Sequence, residues 1–196
     1  MPRHWIYSYF FYKLLLEYLL PQYSNNCNFY THFSTGTPMT PFGAEKDSFY
    51  MQQALALAAT AASNNEVPIG AIVVSPEGRI IGAGYNKVEQ RATQAAHAEL
   101  EALVQAGAAR GTWRLDNHWI YVTLEPCAMC MGLIKLSRMA GVIFGAESPL
   151  FGNHLDKDTP IPLYKRNALV IVPGVGAQEA AQLLKAFFQE KRNKGG

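Results

Sequence analysis

The chain has 196 residues, of which 49% are hydrophobic and 16% are charged, and its formal net charge is +2. This length suits one α/β domain with a substantial core and is too short for two ordinary domains. The small net charge argues against a chain that binds polyanions over its whole surface, so any surface for nucleic acid must be local.

Residues 1–40 differ in composition from the rest of the chain. They hold ten of the twenty Phe and Tyr residues but only three charged residues, Arg3, Lys13 and Glu17. The apolar stretch 10–20 is too short and too charged to span a bilayer, and no cleavage site of a secretory signal follows it. We expect an N-terminal extension, which is an appended segment, a disordered tail or the result of a start codon assigned upstream of Met39. Residues 41–196 then form the functional domain.

The first predicted element of this domain is a helix over residues 48–64. Its alanines and larger apolar side chains favour a helix, and the polar residues 63–65 end it. Two short apolar runs follow, over residues 69–75 and 79–85, with Pro76-Glu77-Gly78 between them. The fixed φ of proline and the freedom of glycine favour a reversing turn, so the two runs predict a β-hairpin.

The remainder of the chain alternates between helical and extended patterns. Helical spacing of apolar side chains predicts three helices, over residues 100–107, 127–139 and 178–192. Short apolar runs predict three buried strands, over residues 118–124, 142–145 and 168–172. The resulting order, α-β-β-α-β-α-β-β-α, predicts an α/β fold with a mixed sheet covered by helices on both faces.

Four residues of this domain carry recognisable metal chemistry. His97 and Glu99 form an H-x-E motif, and thirty positions later Cys127 and Cys130 form P-C-x-x-C. Imidazole nitrogen and thiolate sulfur are preferred ligands of Zn²⁺, so the histidine and the two cysteines supply three ligands and Glu99 remains a free carboxylate. Catalytic zinc sites keep a fourth position for water, whereas structural sites are usually closed by four side chains. The motif therefore predicts one Zn²⁺ per chain in a hydrolytic enzyme.

Helix geometry restricts where these residues can lie. Positions i and i+3 share one face of a helix, so Cys127 and Cys130 can converge on one ion. Positions i and i+2 point about 200° apart, so His97 and Glu99 cannot both face the site from inside a regular helix. His97 must therefore lie at or just before a helix start. Two helix N-termini then face the metal, and their positive dipole ends favour thiolate at the cysteines.

The cysteine motif has two other interpretations. A strand followed by a helix that opens with C-x-x-C is also the arrangement of thiol-disulfide enzymes, but this interpretation gives His97 and Glu99 no function. A structural zinc site needs a fourth ligand, and neither Cys27 nor the four other histidines show ligand spacing. The third cysteine, Cys27, has no disulfide partner outside the motif, and this usage predicts a reducing, cytoplasmic compartment.

Several further segments form a pattern together with the metal motif. They are Glu66-Val67-Pro68-Ile69-Gly70-Ala71, Gly84-Tyr85-Asn86, Ala96-His97-Ala98-Glu99, the residues from Tyr121 to Cys130, Ser137-Arg138, and the residues from Leu183 to Phe188. The chain thereby resembles the bacterial tRNA-specific adenosine deaminases of the cytidine deaminase-like superfamily, which convert the wobble adenosine of an anticodon to inosine. The resemblance covers about residues 47–147 and returns in the predicted terminal helix.

The resemblance implies a three-layer α/β/α fold with a mixed five-stranded sheet, a tRNA anticodon stem-loop as substrate, and a homodimer that builds the RNA surface. It implies zinc binding by His97, Cys127 and Cys130 and proton transfer by Glu99. It also implies that Asn86 contacts the flipped nucleoside. The remaining candidate substrate contacts are Ile69, Ala98, Pro126 and Ser148.

The chain departs from the family pattern in two places. After Phe144-Gly145-Ala146 the family continues with Arg-Asp and a glycine-rich loop, whereas this chain has Glu147-Ser148-Pro149-Leu150-Phe151-Gly152. The family also follows the Phe pair of its terminal helix with Arg, where this chain has Gln189. Both differences fall where RNA contacts are expected, so they bear on the substrate and not on the metal.

The residue types predict a hydrolytic deamination. Glu99 accepts a proton from the attacking water and returns protons to the ring nitrogen and to the leaving ammonia, with C6 of adenine as the carbon attacked. One alternative is a deaminase of a free base or nucleoside, of guanine or cytosine type, which needs no RNA surface. Another is a noncatalytic, zinc-stabilised RNA-binding module, which gives Glu99 no function.

Overall fold

The computed structural model describes residues 40–158 and 169–195. The helices and strands within them are α1 (Ala44–Ser63), β1 (Gly70–Val74), β2 (Ile80–Tyr85), α2 (Val88–Arg91), α3 (Ala98–Arg110), β3 (Trp119–Leu124), α4 (Ala128–Leu136), β4 (Gly141–Ala146), a 3-10 helix (Asn153–Asp158), β5 (Val170–Val172) and α5 (Ala177–Gly195). The predicted extension 1–40 lies almost wholly outside these ranges, so its boundary stays a prediction. In the part of the chain that is described, no helix is long and apolar enough to cross a membrane.

The five strands form one mixed sheet in the order β2-β1-β3-β4-β5. β1 pairs antiparallel with β2 and with β3, whereas β3 pairs parallel with β4 and β4 with β5. The turn between β1 and β2 places Gly78 at φ 81°, where only glycine is free of strain. The predicted hairpin and the predicted mixed five-stranded sheet are both confirmed.

Helices cover both faces of the sheet. The face toward α3 and α4 packs a core that includes Leu103, Ile120 and Ile134. The face toward α1 and α5 packs a second core, which includes Met51 and Tyr121. Because the central strands are covered on both sides, their residues form continuous apolar runs instead of alternating with polar ones. This arrangement is the three-layer α/β/α fold that the family resemblance implies.

Helix α1 begins at Ala44, four residues before the predicted start. Asp47, expected at the beginning of the helix, instead lies buried in its first turn. Its carboxylate accepts hydrogen bonds from the hydroxyl of Thr40 at 2.7 Å and from that of Tyr121 at 2.6 Å. Burial and the neighbouring Asp47 raise the pKa of Tyr121. The helix therefore extends toward its N-terminus because a partner on β3 holds its first turn.

Helix α4 ends at Leu136, three residues before the predicted end at Met139. Arg138 takes a left-handed backbone conformation with φ 62°, which a helix does not continue through. The carbonyl of Ser137, at the end of the helix, accepts a hydrogen bond from the backbone of Leu115 at 2.8 Å. The chain can then turn directly into β4, one residue after Ala140.

The sheet topology brings distant segments of the chain to one edge. β3 and β4 run parallel and β1 runs against β3, so the ends of β2, β3 and β4 meet the beginning of β1. The pairing of Gly70 with Tyr85 and of Leu124 with Ala146 marks this edge. The helices α3 and α4 both start at this edge, because each comes after a strand that ends there and then runs back across the sheet.

Gly84 allows α3 to lie directly on β2. A β-carbon at this position would come within 2.6 Å of the carbonyl oxygen of Ala98 and 2.7 Å of the backbone nitrogen of Ala102. Any other residue would force the helix away from the strand, since those atoms belong to backbone and cannot move aside. The close approach holds the start of α3, and with it His97, beside the end of β2.

Candidate metal centre and active site

His97 and Cys127 each occupy the position just before the first turn of a helix. His97 precedes α3 with φ −71° and ψ 153°, and Cys127 precedes α4 with φ −70° and ψ 169°. Neither side chain caps its own helix, so neither is used up in local hydrogen bonding. Cys130 follows within the first turn of α4. The predicted place of His97, at a helix start, is confirmed.

The three predicted ligands converge on a common point. Nδ1 of His97 lies 3.4 Å from Sγ of Cys130 and 3.7 Å from Sγ of Cys127, and all three donor atoms lie within 4.8 Å of one another. Tetrahedral zinc, with Zn–S near 2.3 Å and Zn–N near 2.0–2.1 Å, would set a nitrogen and a sulfur ligand about 3.6 Å apart. The spacing therefore fits tetrahedral zinc. Within residues 40–158 and 169–195, no other His, Cys, Asp or Glu side chains form such a group.

The pKa values of the two thiols are shifted in opposite directions. Hydrogen bonds from Cys130 and His97 lower the pKa of Cys127 to about 4, against the effect of burial. The hydrogen bond with Cys127 and burial raise the pKa of Cys130. The hydrogen bond with Cys127 also raises the pKa of His97, so metal binding must displace protons from this group of side chains. Two thiolates and a neutral imidazole then balance the charge of Zn²⁺.

Glu99 lies beside the ligands without belonging to their group. It is only 4% exposed in the first turn of α3. Burial raises its pKa above the ordinary value. A carboxyl at this position can accept a proton and return it during the reaction.

Asn86 and Ile69 lie next to each other at the same edge of the sheet. The backbone nitrogen of Asn86 donates a hydrogen bond to the carbonyl of Ile69 at 3.0 Å. Ile69 is half-buried, whereas Asn86 is only 4% exposed. A further bond, between Lys87 and Ala96, joins the residue after Asn86 to the residue before His97, at 2.9 Å. The backbone thereby holds Asn86 close to the metal centre.

The other three predicted contact residues are all buried. Ala98 is 0% exposed, side chain and backbone together. Pro126 is buried and directly precedes Cys127, and its carbonyl accepts a hydrogen bond from Asn153 at 3.1 Å. Ser148 is 6% exposed. The fold therefore brings these residues to one edge, but none of the three offers an exposed side chain.

Sequence reasoning assigned no function to Glu125, which holds the loop after β4. Its carboxylate accepts hydrogen bonds from the backbone of Ser148 at 3.2 Å and of His154 at 2.9 Å, and it contacts Nδ1 of His154 at 2.6 Å. A side chain at Gly152 would collide with it. The loop in which this chain departs from the family is thus fastened beside Cys127. The sequence feature that could have identified Glu125 is the presence of a charged residue directly after an apolar strand.

Sequence reasoning also assigned no role to Glu66, and it did not predict the short helix α2. Glu66 is 0% exposed and follows Asn65, whose φ of 63° turns the chain inward after α1. Its carboxylate accepts hydrogen bonds from the backbone of Gln90 at 2.7 Å and of Glu89 at 3.2 Å, both in the first turn of α2. A lone acid between an amphipathic helix and a buried strand was the only signal in the sequence.

Comparison with known proteins places this geometry in a family. Residues 44–146 match the family described as the cytidine and deoxycytidylate deaminase zinc-binding region. The tRNA-specific adenosine deaminase of Bacillus subtilis (strain 168) is 41% identical over 155 residues, which cover 76% of this chain and 92% of that protein. The enzyme of the same name from Buchnera aphidicola subsp. Schizaphis graminum (strain Sg) is 43% identical over 150 residues, which cover 76% and 98%.

A solved structure shows the same similarity in three dimensions. It comes from a study of A-to-I editing by tRNA:A34 deaminases at the wobble position of transfer RNA, and it matches with a TM-score of 0.65 and 33% identity. The match covers 70% of this chain and 99% of that chain. The chain therefore belongs to the zinc-binding cytidine and deoxycytidylate deaminase family and, within it, to the tRNA-specific adenosine deaminases.

Proposed function

We propose that this protein converts adenosine to inosine at the wobble position of a tRNA anticodon, by zinc-dependent hydrolysis in the cytoplasm. The observation that carries the proposal is the convergence of three metal-binding side chains beside a buried carboxylate, Glu99, that is not part of the ligand group. The assignment of the substrate is based on relatives that are named tRNA-specific adenosine deaminase and that match over nearly their whole length.

His97, Cys127 and Cys130 are the zinc ligands in this proposal. When bound, zinc supplies a Lewis acid that makes a water nucleophilic near neutral pH. The two cysteines belong to α4 and the histidine to the start of α3, so rigid elements set the separation of all three donor atoms. The positive ends of both helices face the centre and stabilise negative charge there.

Glu99 moves the protons of the reaction. It takes one proton from the attacking water and passes it to the ring nitrogen, then takes a second proton from the hydroxyl formed on the attacked carbon and passes it to the amine that leaves as ammonia. Water and adenosine are thereby converted to inosine and ammonia with no net change in protons. Burial suits the carboxyl to this exchange, because it raises the pKa and so favours the protonated form that returns the proton.

The substrate pocket lies at the sheet edge next to this centre. We assign contacts with the flipped nucleoside to Asn86 and Ile69 on one side and to Pro126 and Ser148 on the other, and we include Ala98, which lies between His97 and Glu99. Extrusion of the base is needed because the reacting carbon is inaccessible inside a stacked helix. The loop that Glu125 holds in place borders the pocket. It therefore influences which nucleotides the enzyme accepts on either side of the target.

The substrate assignment predicts that a wobble-adenosine stem-loop is deaminated and that free adenosine reacts poorly. Binding of the stem-loop should weaken as salt rises, with a slope of about −0.7 per phosphate neutralised on a single strand. Lys191 and Arg192 of α5 are candidates for these contacts, and the further candidates Lys165 and Arg166 lie outside the described residues. Inosine formation and ammonia release, measured between about 50 and 200 mM salt, check both expectations.

A panel of alternative substrates provides the control. It contains the DNA version of the stem-loop, adenosine, guanine, cytosine and cytidine. Because Ser148 stands where the family has Asp, selectivity for RNA over single-stranded DNA should be relaxed. Ammonia from guanine or cytosine with none from the stem-loop would overturn the tRNA assignment and favour a free-base deaminase.

We also propose that the protein acts as a homodimer that pairs through α4. Met129 and Leu136 are 40% and 46% exposed, and half-buried Leu133 lies between them. Their spacing of four and three residues places the three side chains on one face of the helix. This apolar stripe lies on the helix that begins at the zinc ligands. It is suited to pack against the same stripe of a second copy of the chain.

Leu136→Glu should shift the protein from dimer to monomer, because a charge in the centre of an apolar interface must be desolvated without a partner. Val104→Glu is the matched control, since Val104 is a 63% exposed apolar residue of α3 that lies outside the stripe. Light scattering coupled to gel filtration measures the mass of both variants. A monomeric wild type, or a Leu136→Glu dimer as stable as the control, would contradict the proposal.

A further inference from the structure

We propose that Glu66 is a positioning residue that fixes the side-chain amide of Asn86 in one orientation, with its nitrogen toward Glu66 and its oxygen toward the substrate. The inference rests on the proposed function, which makes Asn86 a substrate contact. It adds a specificity element: the pocket offers a hydrogen-bond acceptor at this position and therefore selects a nucleoside that presents a donor there.

The position of Glu66 is set by its surroundings. Its carboxylate is 0% exposed and accepts three hydrogen bonds, two of them from the backbone of α2. The third comes from Nδ2 of Asn86 at 3.3 Å. Backbone donors in a short helix cannot reorient as side chains do, so they hold the carboxylate of Glu66 as an acceptor in a fixed position.

A fixed carboxylate determines which end of the neighbouring amide faces it. A carboxylate accepts hydrogen bonds and donates none, whereas the two ends of an Asn amide have opposite polarity. If the amide turned over, its oxygen would face the oxygen of Glu66 in a water-excluded place, and both acceptors would lose a partner. The nitrogen of Asn86 therefore faces Glu66, and the oxygen is directed to the other side.

The same segment is tied to the metal centre at its far end. The hydrogen bond between Lys87 and Ala96 closes a loop that begins just after Asn86 and ends just before His97. Lys87 and Arg91 of this loop form ion pairs with Glu101 of α3, at 3.0 and 2.6 Å. This closed and anchored loop therefore holds Asn86 in a fixed position relative to the reacting centre.

Exchanging the two polar groups tests the inference. Glu66→Gln keeps the size of the side chain but sets an amide nitrogen against that of Asn86, so the Asn86 amide loses its partner or turns over. We expect kcat/KM for the stem-loop to fall about tenfold or more, the factor that a hydrogen bond to a charged group typically supplies. In Glu66→Gln/Asn86→Asp the new nitrogen at position 66 again has an acceptor at position 86, and an oxygen again faces the substrate. This double variant should recover part of the kcat/KM that Glu66→Gln loses, but not all of it, because the same nitrogen also faces the backbone nitrogen of Glu89.

Matched variants separate positioning from stability. Glu89→Gln removes an exposed carboxylate of the same loop and keeps the backbone nitrogen that donates to Glu66, so it should leave kcat/KM unchanged. Asn86→Asp alone sets two carboxylates against each other and should lose activity. Thermal unfolding and zinc content are measured on every variant, because a merely structural role would change the melting temperature without the recovery of kcat/KM.

The outcomes discriminate between the inference and the function on which it rests. A wild type without activity on the stem-loop overturns the proposed function before any variant is compared. With an active wild type, a double variant no better than the two single losses combined overturns the role of Glu66. Recovery of the melting temperature without recovery of kcat/KM also overturns it. If Glu66→Gln fails to fold, the double variant decides alone: the inference requires it to be folded and active.

Discussion

Replacing Glu99 by Gln is expected to lower the rate of deamination by at least about 10² to 10⁴-fold while the zinc content stays the same. The substitution keeps the size of the side chain and removes its ability to take a proton from water and return it to the base. The metal should remain because the group of convergent ligand atoms consists of His97, Cys127 and Cys130. Inosine formation per bound zinc is the quantity to measure.

Glu45→Gln provides the control for this variant. Glu45 is an exposed acid in the first turn of α1, as Glu99 is a buried acid in the first turn of α3. Its loss changes the charge of the protein equally but should leave turnover unaltered. Undiminished turnover of zinc-loaded Glu99→Gln would refute proton transfer by this residue.

Replacing Cys127 or Cys130 by Ser is expected to abolish zinc binding and deamination together. The wild type should contain about one zinc per chain, and each variant close to none, because a hydroxyl is a far weaker ligand than a thiolate. The melting temperature should fall as well, since a ligand that binds only the folded state stabilises it. Metal analysis and thermal unfolding measure the two effects.

Cys27→Ser is the matched control, because it removes a thiol that lies outside the motif and should leave zinc content and activity unchanged. A thiol-disulfide enzyme would behave differently from the expected metalloenzyme. It would contain no metal and would show reversible oxidation of Cys127 and Cys130. Active protein without metal would therefore refute the zinc assignment and favour the redox interpretation.

Local patterns were enough to predict much of the fold and the central residues of the candidate site. The apolar runs of the central strands and the turn at Pro76-Glu77-Gly78 depend on near neighbours, and the structure confirms both. The position of His97 before α3 followed from helix geometry alone, since i and i+2 point apart. The spacing of the cysteines placed two ligands on one helix face for the same reason. The N-terminal extension stays a prediction.

The sequence by itself determined the five strands, the four longer helices, the ligand set and the family, because each depends on residues close together in the chain or on a motif of fixed spacing. Only the tertiary structure decided how the site is held in place. Glu66 meets Asn86 across 20 positions and Glu125 meets His154 across 29, and no periodicity encodes such pairs. The early start of α1 likewise depends on Tyr121, 74 positions from Asp47. Buried carboxylates must find donors wherever the fold brings them, so their partners are known only once the chain is folded.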